Sequence, residues 1–322
     1  MPSALRAGLS TRRATPGDAR AIAELMTAVD VADDLDPWVT ESDVFEDLTD
    51  PELDIVNNTW VVEDSNRLVG YAELWNAMDE DAGMEVQGWV APGYRGRGIG
   101  AYLVDVTEEA ARAVAAGRTK HPVRMWNFIP SVDEAARDLL ERRGYIVVRH
   151  FFHMAIDLSE VGDPPAPPEG ITLRSLDPDR DARALYELIE HAFREHWNWS
   201  STSFESFWRK VSQRDDFDPE LSLIAMRGET YVGASWNITK IDRGWVQDLA
   251  VHEDARRQGL GELLLRHTFH RFKERGWERV GLGLDAGNVT GALRLYERVG
   301  MHVTRRFDTY EKELPESATP SE

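Results

Sequence analysis

The loop Arg256-Arg-Gln-Gly259-Leu-Gly261 has residue types and spacing that can bind an anion. It stands between an apolar segment that predicts a strand, VQDLAV, and an amphipathic segment that predicts a helix from Leu260 to Arg275. The first amides of a helix lack intrahelical acceptors, and the positive end of the helix dipole adds to their attraction for anions. Gly259 and Gly261 let the backbone approach a phosphate closely. The loop therefore predicts a pyrophosphate site, and the alternative is an ordinary strand-to-helix turn.

Other phosphate-binding and catalytic patterns are missing. The loop is neither G-x-G-x-x-G nor G-x-x-x-x-G-K-[ST], so dinucleotide and nucleoside triphosphate sites lack motif support. Nine histidines occur without H-E-x-x-H spacing, which argues against a metalloenzyme. With no cysteine in the chain, a thiolate nucleophile, a disulfide and a Cys-ligated metal are excluded.

The loop occurs twice. Arg95, Gly98 and Gly100 repeat as arginine and glycines 161 positions later, and Asn127 and Asn288 keep the same spacing. Gly144 in ERRGY pairs with Gly300 in ERVGM at a spacing of 156, which predicts about five extra residues after Asn127 in the first copy. Internal similarity of this length predicts two domains of one kind.

The elements around each loop follow the same order. A strand, a helix, a hairpin and a further strand lead to the loop, and then come a helix, a strand, a shorter helix and a last strand. This order predicts an α/β fold with a mixed sheet flanked by helices. The proline-rich segment 161–170 predicts a linker between domains at 1–160 and 171–314, and the polar tail 315–322 is expected to be disordered.

R-x-x-G-x-G after an apolar strand resembles the acyl-CoA pyrophosphate loop of the GNAT N-acetyltransferases. In the second copy, Asn288-Val-Thr-Gly-Ala-Leu-Arg-Leu-Tyr296-Glu-Arg-Val-Gly300 resembles a second motif of that family. The resemblance covers nearly the whole chain. Its tandem arrangement and length are similar to mycothiol-synthase-like actinobacterial acetyltransferases. It implies two GNAT-like domains, each with a mostly antiparallel mixed central sheet.

The resemblance also implies a V-shaped opening between two central strands for acetyl-CoA. Leu249 and Val251 would offer backbone groups to the pantetheine and the thioester, and Asn288 would contact the pantetheine arm. The cofactor-binding residues expected in the second copy are Leu249, Ala250, Val251, Arg256, Arg257, Gln258, Gly259, Leu260, Gly261 and Asn288. Those expected in the first copy are Val90, Arg95, Gly96, Arg97, Gly98 and Gly100.

Tyr296 would protonate the departing CoA thiolate, as the resemblance implies. Its alternative is an ordinary residue of an amphipathic helix. Counting back from Gly144 places Leu140 at the equivalent position of the first copy, and leucine cannot donate a proton. We therefore expect the first copy to be without catalysis, whether or not it binds CoA.

The general base has two candidates. In several family members a carboxylate opens the central strand, but Trp245 stands at that position. Asp248 is the nearest acidic residue on the strand, and it could act directly, act through water, or be held structurally by a neighbour. His196 is the other candidate because imidazole titrates near neutral pH, although a histidine at a helix end often only caps or packs.

The acceptor side is expected in the aromatic segment from His191 to Trp208. Glu195, Trp197, Trp199 and Trp208 are the candidate substrate-binding residues, since aromatic rings and a carboxylate can receive a cationic amine. The alternative is that about half of these rings pack in the core.

The composition limits the partners. Fifty-seven acidic against 37 basic residues give a net charge of −20, which disfavours nucleic acid and favours cationic substrates, or serves solubility. No membrane-spanning segment or signal peptide is predicted, so a cytoplasmic protein is expected. We expect a monomer or a homodimer.

These inferences favour an acetyl-CoA-dependent N-acetyltransferase acting on a small primary amine by direct attack. The alternatives are a protein or peptide N-acetyltransferase and a non-catalytic acyl-CoA-binding regulatory protein.

Overall fold

The computed structural model describes residues 5–77, 83–119, 122–194, 196–199, 201–287 and 291–314. The chain forms two compact units. Their boundaries differ from a simple division of the sequence into a first and a second half. Unit 1 consists of Met1–His150 and Phe307–Glu322, and unit 2 consists of Phe151–Arg306.

The strands and helices follow the predicted alternation. The strands are β1 (Leu9–Arg12), β2 (Thr59–Asp64), β3 (Arg67–Trp75), β4 (Met84–Val90), β5 (Val123–Pro130), β6 (Ile146–Asp157), β7 (Ile171–Ser175), β8 (Leu223–Arg227), β9 (Thr230–Thr239), β10 (Gly244–Val251), β11 (Arg279–Asp285) and β12 (His302–Leu314). The helices are α1 (Ala19–Ala32), α2 (Glu41–Thr49), α3 (Ile99–Ala115), α4 (Glu134–Arg142), α5 (Pro178–Phe193), α6 (Phe204–Ser212), α7 (Leu260–Glu274) and α8 (Ala292–Arg298).

Each unit has a six-stranded sheet with the same pattern. The order is β1-β2-β3-β4-β5-β12 in unit 1 and β7-β8-β9-β10-β11-β6 in unit 2. Neighbouring strands are antiparallel except for β4 with β5 and β10 with β11. Those parallel pairs need a crossover, which α3 and α7 supply. The prediction of an α/β fold with mostly antiparallel mixed sheets flanked by helices is confirmed.

The last strand of each unit comes from a distant part of the chain. Phe307–Leu314 of β12 pairs with β5 of unit 1, and Phe151–Asp157 of β6 pairs with β11 of unit 2. The units thus divide near residues 150 and 306, whereas the sequence predicted domains at 1–160 and 171–314. Without a further strand, β5 and β11 would each have an unpaired outer edge. Hydrogen bonding does not require the strand that pairs with this edge to be the next one in sequence.

Helix α7 shows why the residues around the second loop fold as they do. It begins after Gly259, whose φ of 79° lies in the left-handed region that favours glycine. Its apolar side chains pack in the core, among them Leu264, Phe269 and Phe272. The helix therefore lies against the sheet with its first amides at the end of β10, where the loop residues are exposed.

The spacing of the repeat differs from the prediction. Asn127 lies within β5 opposite Val86, and the register equivalent of that pair in unit 2 is Val246 with Leu282. Asn127 therefore corresponds to Leu282, and its expected match with Asn288 is wrong. The extra residues of the first copy precede β5, where the connection from α3 is longer than the one from α7.

Among the described helices, the longest has 17 residues, and none is apolar enough over a sufficient length to cross a bilayer.

Candidate active site

Unit 2 contains a fork between its parallel strands. The ladder between β10 and β11 ends at Val246, opposite Leu282. β10 continues to Val251 and stays paired with β9 along its other edge. Backbone groups of β10 that face β11 beyond Val246 therefore have no ladder partner among the described residues, and an extended ligand can pair with them.

A β-bulge lies where the fork opens. The register between β10 and β9 shifts between Val246 and Asp248, so Gln247 is the extra residue. Bulges bend a strand and change the direction of the next side chain. The bulge sets Asp248 opposite Trp236 of β9, just beyond the last parallel pair.

The residues after the bulge alternate between the two faces of the sheet. A methyl group at Gly261 would lie 3.8 Å from Cγ2 of Val251 and 4.0 Å from Cδ2 of Leu249, so these two side chains face α7. Because side chains alternate along a strand, Asp248 and Ala250 face the opposite side. Helices α5 and α6 cover that side, as the contact between Phe207 of α6 and Trp236 shows.

The loop between β10 and α7 holds two residues in the left-handed region of backbone conformation. Arg257 and Gly259 both have positive φ, 60° and 79°. The guanidinium of Arg256 donates from Nε to the carbonyl of Val251 at 3.1 Å, and Gln258 donates from Nε2 to the carbonyl of Asp254 at 2.9 Å. Leu260 is buried, so it can offer a ligand its amide but not its side chain.

The second loop glycine brings the two helices of the site together. A methyl group at Gly261 would lie 3.1 Å from Cδ2 of Leu295, so only glycine allows α7 and α8 this approach without displacement. Tyr296 follows Leu295 on α8 and packs partly buried against the core that includes Leu249.

Asp248 and Tyr296 both have raised pKa values, and they hold different protonation states near neutral pH. Burial, with a smaller contribution from the charge of Asp248, raises the pKa of Tyr296 to about 12. Burial raises the pKa of Asp248 to about 7. Near neutral pH the phenol keeps its proton, and a substantial fraction of the carboxyl group is ionised. A proton donor and a proton acceptor are therefore both available at the fork.

The aromatic residues of the predicted acceptor region pack mainly with one another. The ring of His196 lies 4.4 Å from that of Phe193, and the ring of Trp199 lies 5.5 Å from it. Trp197 contacts Phe151 at 6.2 Å and Trp208 contacts Phe217 at 6.3 Å, both between ring centroids. These contacts place His196, Trp197 and Trp199 around the end of α5, and Trp208 on α6.

Two of the predicted residues, Glu195 and Asn288, lie outside the described residues.

Trp236 was not singled out from the sequence. It is 8 % exposed, stands opposite Asp248, and its Nε1 has no hydrogen-bond partner among the described residues. Only the pairing of β9 with β10 brings it to the site. The sequence of the β8–β9 hairpin shows a tryptophan within an apolar strand. Nothing in that sequence indicates that the tryptophan lies at the site.

The ring of Trp245 lies against Gly281, where the absence of a side chain leaves room for it. A methyl group at Gly281 of β11 would lie 2.7 Å from Cζ3 of Trp245. The ring also meets His153 of β6 edge-on at 5.0 Å. Burial, with Arg305 and Arg243 nearby, lowers the pKa of His153 to about 3 and keeps its imidazole neutral. Trp245 thus places a buried apolar ring at the position where several family members are expected to have a carboxylate.

Unit 1 has a matching fork and loop. The ladder between β4 and β5 ends at Val86, opposite Asn127, while β4 continues to Val90. Gly96 and Gly98 have φ of 73° and 89°. A methyl group at Gly100 would lie 3.8 Å from Cγ2 of Val90 and 3.4 Å from Cδ2 of Leu139, which repeats the arrangement around Gly261.

Both loop arginines of unit 1 contact other side chains of the same unit. Arg95 donates two hydrogen bonds to the carboxylate of Asp33, at 2.6 and 2.7 Å. The guanidinium of Arg97 lies 4.5 Å from the ring centre of Tyr94, whose hydroxyl donates to Asp64.

The residues of unit 2 fit acetyl-CoA. The fork offers unpaired backbone to an extended pantetheine, and the first turn of α7 offers amides and nearby arginines to a pyrophosphate. Among the described residues, no group of three or more histidine or acidic side chains could hold a metal ion.

Comparison with known proteins identifies the family. Residues 21–145 and 182–301 match the acetyltransferase (GNAT) family. The chain is 31 % identical over 297 residues to a mycothiol acetyltransferase of Thermobispora bispora, covering 89 % of this chain and 94 % of that protein. It is 32 % identical over 306 residues to a mycothiol acetyltransferase of Salinispora arenicola, covering 90 % of this chain and 92 % of that protein.

Solved structures agree. A GCN5-related N-acetyltransferase from Sphaerobacter thermophilus has a TM-score of 0.80 and 32 % identity, covering 96 % of this chain and 97 % of its own. A tandem GNAT protein from the clavulanic acid pathway has a TM-score of 0.73, covers 98 % and 100 %, and at 20 % identity shows the fold alone. The chain belongs to the GNAT family, carries two GNAT domains in tandem, and is an N-acetyltransferase.

Proposed function

We propose that unit 2 transfers the acetyl group of acetyl-CoA to a primary amine of a small molecule. The observation that carries this proposal is the Asp248–Tyr296 pair beside a fork that ends at a phosphate-binding loop. Unit 1 lacks this pair, since Leu140 precedes its ERRGY segment where Tyr296 stands in unit 2.

Backbone groups of Leu249, Ala250 and Val251 would bind the pantetheine and polarise the thioester carbonyl. Amides from Arg257 to Gly261 would bind the pyrophosphate, with Arg256 and Arg257 adding positive charge. Together these contacts would hold the thioester next to Asp248 and Tyr296, which replaces a bimolecular encounter by a fixed geometry.

The transfer needs no covalent enzyme intermediate. The amine nitrogen forms a bond to the thioester carbon while the carbon–sulfur bond breaks. Asp248 accepts the proton that the amine loses, and Tyr296 donates its phenolic proton to the leaving thiolate. Loss of a proton from Asp248 to solvent and gain of one by Tyr296 from solvent restore both groups.

The acceptor is expected on the face covered by α5 and α6. Asp248 and Trp236 lie on this face, and Trp197, Trp199 and Trp208 belong to the segments around it. Bulky rings in close mutual contact favour a compact amine over an extended peptide. The negative charge of the chain suits a cationic acceptor. We expect a cytoplasmic enzyme, monomeric or homodimeric, without a nucleic acid or membrane partner.

Acetyl-CoA-dependent thiol release in the presence of a panel of small primary amines tests the proposal. We expect release with at least one amine, together with a stoichiometric N-acetylated product detected by mass spectrometry. The tertiary N,N-dimethyl analogue of that amine is the matched control, since it cannot retain the acetyl group. Transfer to peptides alone would contradict the small-molecule assignment.

A further inference from the structure

The interdomain linker is attached along helix α7 of unit 2. Lys273 donates from Nζ to the carbonyl of Val161 at 2.6 Å, and Nε2 of His267 lies 2.9 Å from the carbonyl oxygen of Pro165. Both contacts use backbone carbonyls of the linker as acceptors. The proline-rich segment is therefore positioned by α7 over several residues.

The linker forms one wall of a cavity of about 230 Å³. Much of its lining is apolar and includes Pro165, Pro168, Ile171 and Leu263. Glu262 also lines it, and its carboxylate is paired with Arg266 and Arg298. Pockets for drug-sized ligands hold roughly 300–1,000 Å³. This cavity therefore suits one end of a larger molecule better than a complete one.

The cavity adjoins the phosphate-binding loop. Gln258 and Gly259 belong to the loop and also line the cavity, and Arg227 at the end of β8 lines it too. Arg227 donates from Nη2 to Oε1 of Gln258 at 2.7 Å, which orients its guanidinium beside the loop. A guanidinium has five N–H donors, so others remain for an anion.

We infer that this cavity receives the adenosine 3′-phosphate end of CoA, so that the linker completes the cofactor site of unit 2. This inference rests on the proposed function. A pyrophosphate on the loop has two substituents: pantetheine would lead towards the fork, and we place the nucleoside in the cavity, which shares Gln258 and Gly259 with the loop. Proline and leucine side chains offer flat apolar contacts to a purine, and Arg227 offers a cation to the 3′-phosphate.

Calorimetric titration of CoA and dephospho-CoA, which lacks the 3′-phosphate, tests the role of Arg227. The intact chain should bind CoA at least about tenfold more tightly, as expected for one charge-assisted hydrogen-bond pair. Arg227→Met should lower CoA affinity to that of dephospho-CoA and leave the latter unchanged. Arg275→Met, at the other end of α7, is the matched control. An unchanged preference for CoA in Arg227→Met would overturn the inference.

The linker wall needs a separate variant. Replacing Pro165 and Pro168 by glycine should weaken both CoA and dephospho-CoA several-fold, while transfer from acetyl-pantetheine, which lacks the nucleotide, should be unchanged. His267→Ala removes one linker contact without altering the cavity lining and should show the same pattern more weakly. Equal affinities in the intact chain and these variants would overturn the role of the linker.

The experiments distinguish failure of the proposed function from failure of this inference. No acetyl transfer from either acetyl-CoA or acetyl-pantetheine to any amine would overturn the proposed function and this inference with it. Transfer from both with no effect of the nucleotide-end variants would overturn the inference alone.

Discussion

Units 1 and 2 have the same strand pattern, the same fork and the same glycine loop, yet they differ at the two residues that we propose to react. β3 and β4 run in continuous register, so Gln87 stands opposite Glu73 where Asp248 stands opposite Trp236 after the bulge. Unit 1 thus has an amide in place of the carboxyl group.

The contact geometry also locates the unit 1 equivalent of Tyr296. Leu139 and Leu295 occupy matching places against Gly100 and Gly261. The next residues are Leu140, which is 2 % exposed, and Tyr296. The helix packs alike in both units, whereas the phenol of Tyr296 is replaced by an apolar side chain in unit 1. The comparison teaches that one scaffold can hold different side chains at the two positions that we propose to react.

The largest expected effect is that of Tyr296→Phe. It should lower kcat by roughly 10²–10⁴-fold, because the thiolate loses its proton donor. Acetyl-CoA affinity, measured by titration, should stay within about twofold, because the ring remains in place. Tyr145→Phe in unit 1 is the matched control and should leave kcat unchanged. An unaltered kcat in Tyr296→Phe would remove the functional difference between the units at this position.

Asp248→Asn should lower kcat/KM by about 10²-fold or more at pH 8. The carboxyl group accepts a proton only when ionised, so the kcat/KM of the unmodified enzyme should rise with pH through about 7 and then level off. The variant should lose this rise. Gln87→Asn in unit 1 serves as the control, and a pH profile of the Asp248 variant that still inflects near 7 would assign the base elsewhere.

A smaller but more discriminating effect concerns cofactor stoichiometry. We expect one acetyl-CoA site per chain, since Asp33 already holds the loop arginine of unit 1 and its carboxylate would repel a phosphate. Gly259→Val should abolish this site, because a β-branched residue is strained at a φ of 79°. Gly98→Val, with a φ of 89°, is the matched control and should leave the stoichiometry unchanged. Two sites in the unmodified chain would show that unit 1 also binds the cofactor.

Much of the fold could be predicted because its signals are local. The amphipathic period of α7, the glycine that precedes it and the repeat of that arrangement near Gly98 are properties of short segments. The site assignments at Tyr296 and Asp248 stay predictions, and the raised pKa values of both groups support them. The match of Asn127 with Asn288 failed because a constant spacing in sequence cannot show where a connection between elements lengthens.

The sequence by itself determined the repeat, the family motifs, the alternation of strands and helices, and the absence of cysteine chemistry. Each depends on residue type and spacing along the chain. Only the tertiary structure decided which strand completes each sheet, where Gln247 bulges, and that Trp236 stands beside Asp248. Those features depend on hydrogen bonds and side-chain contacts between residues far apart in sequence, and many alternative pairings are compatible with the same local pattern.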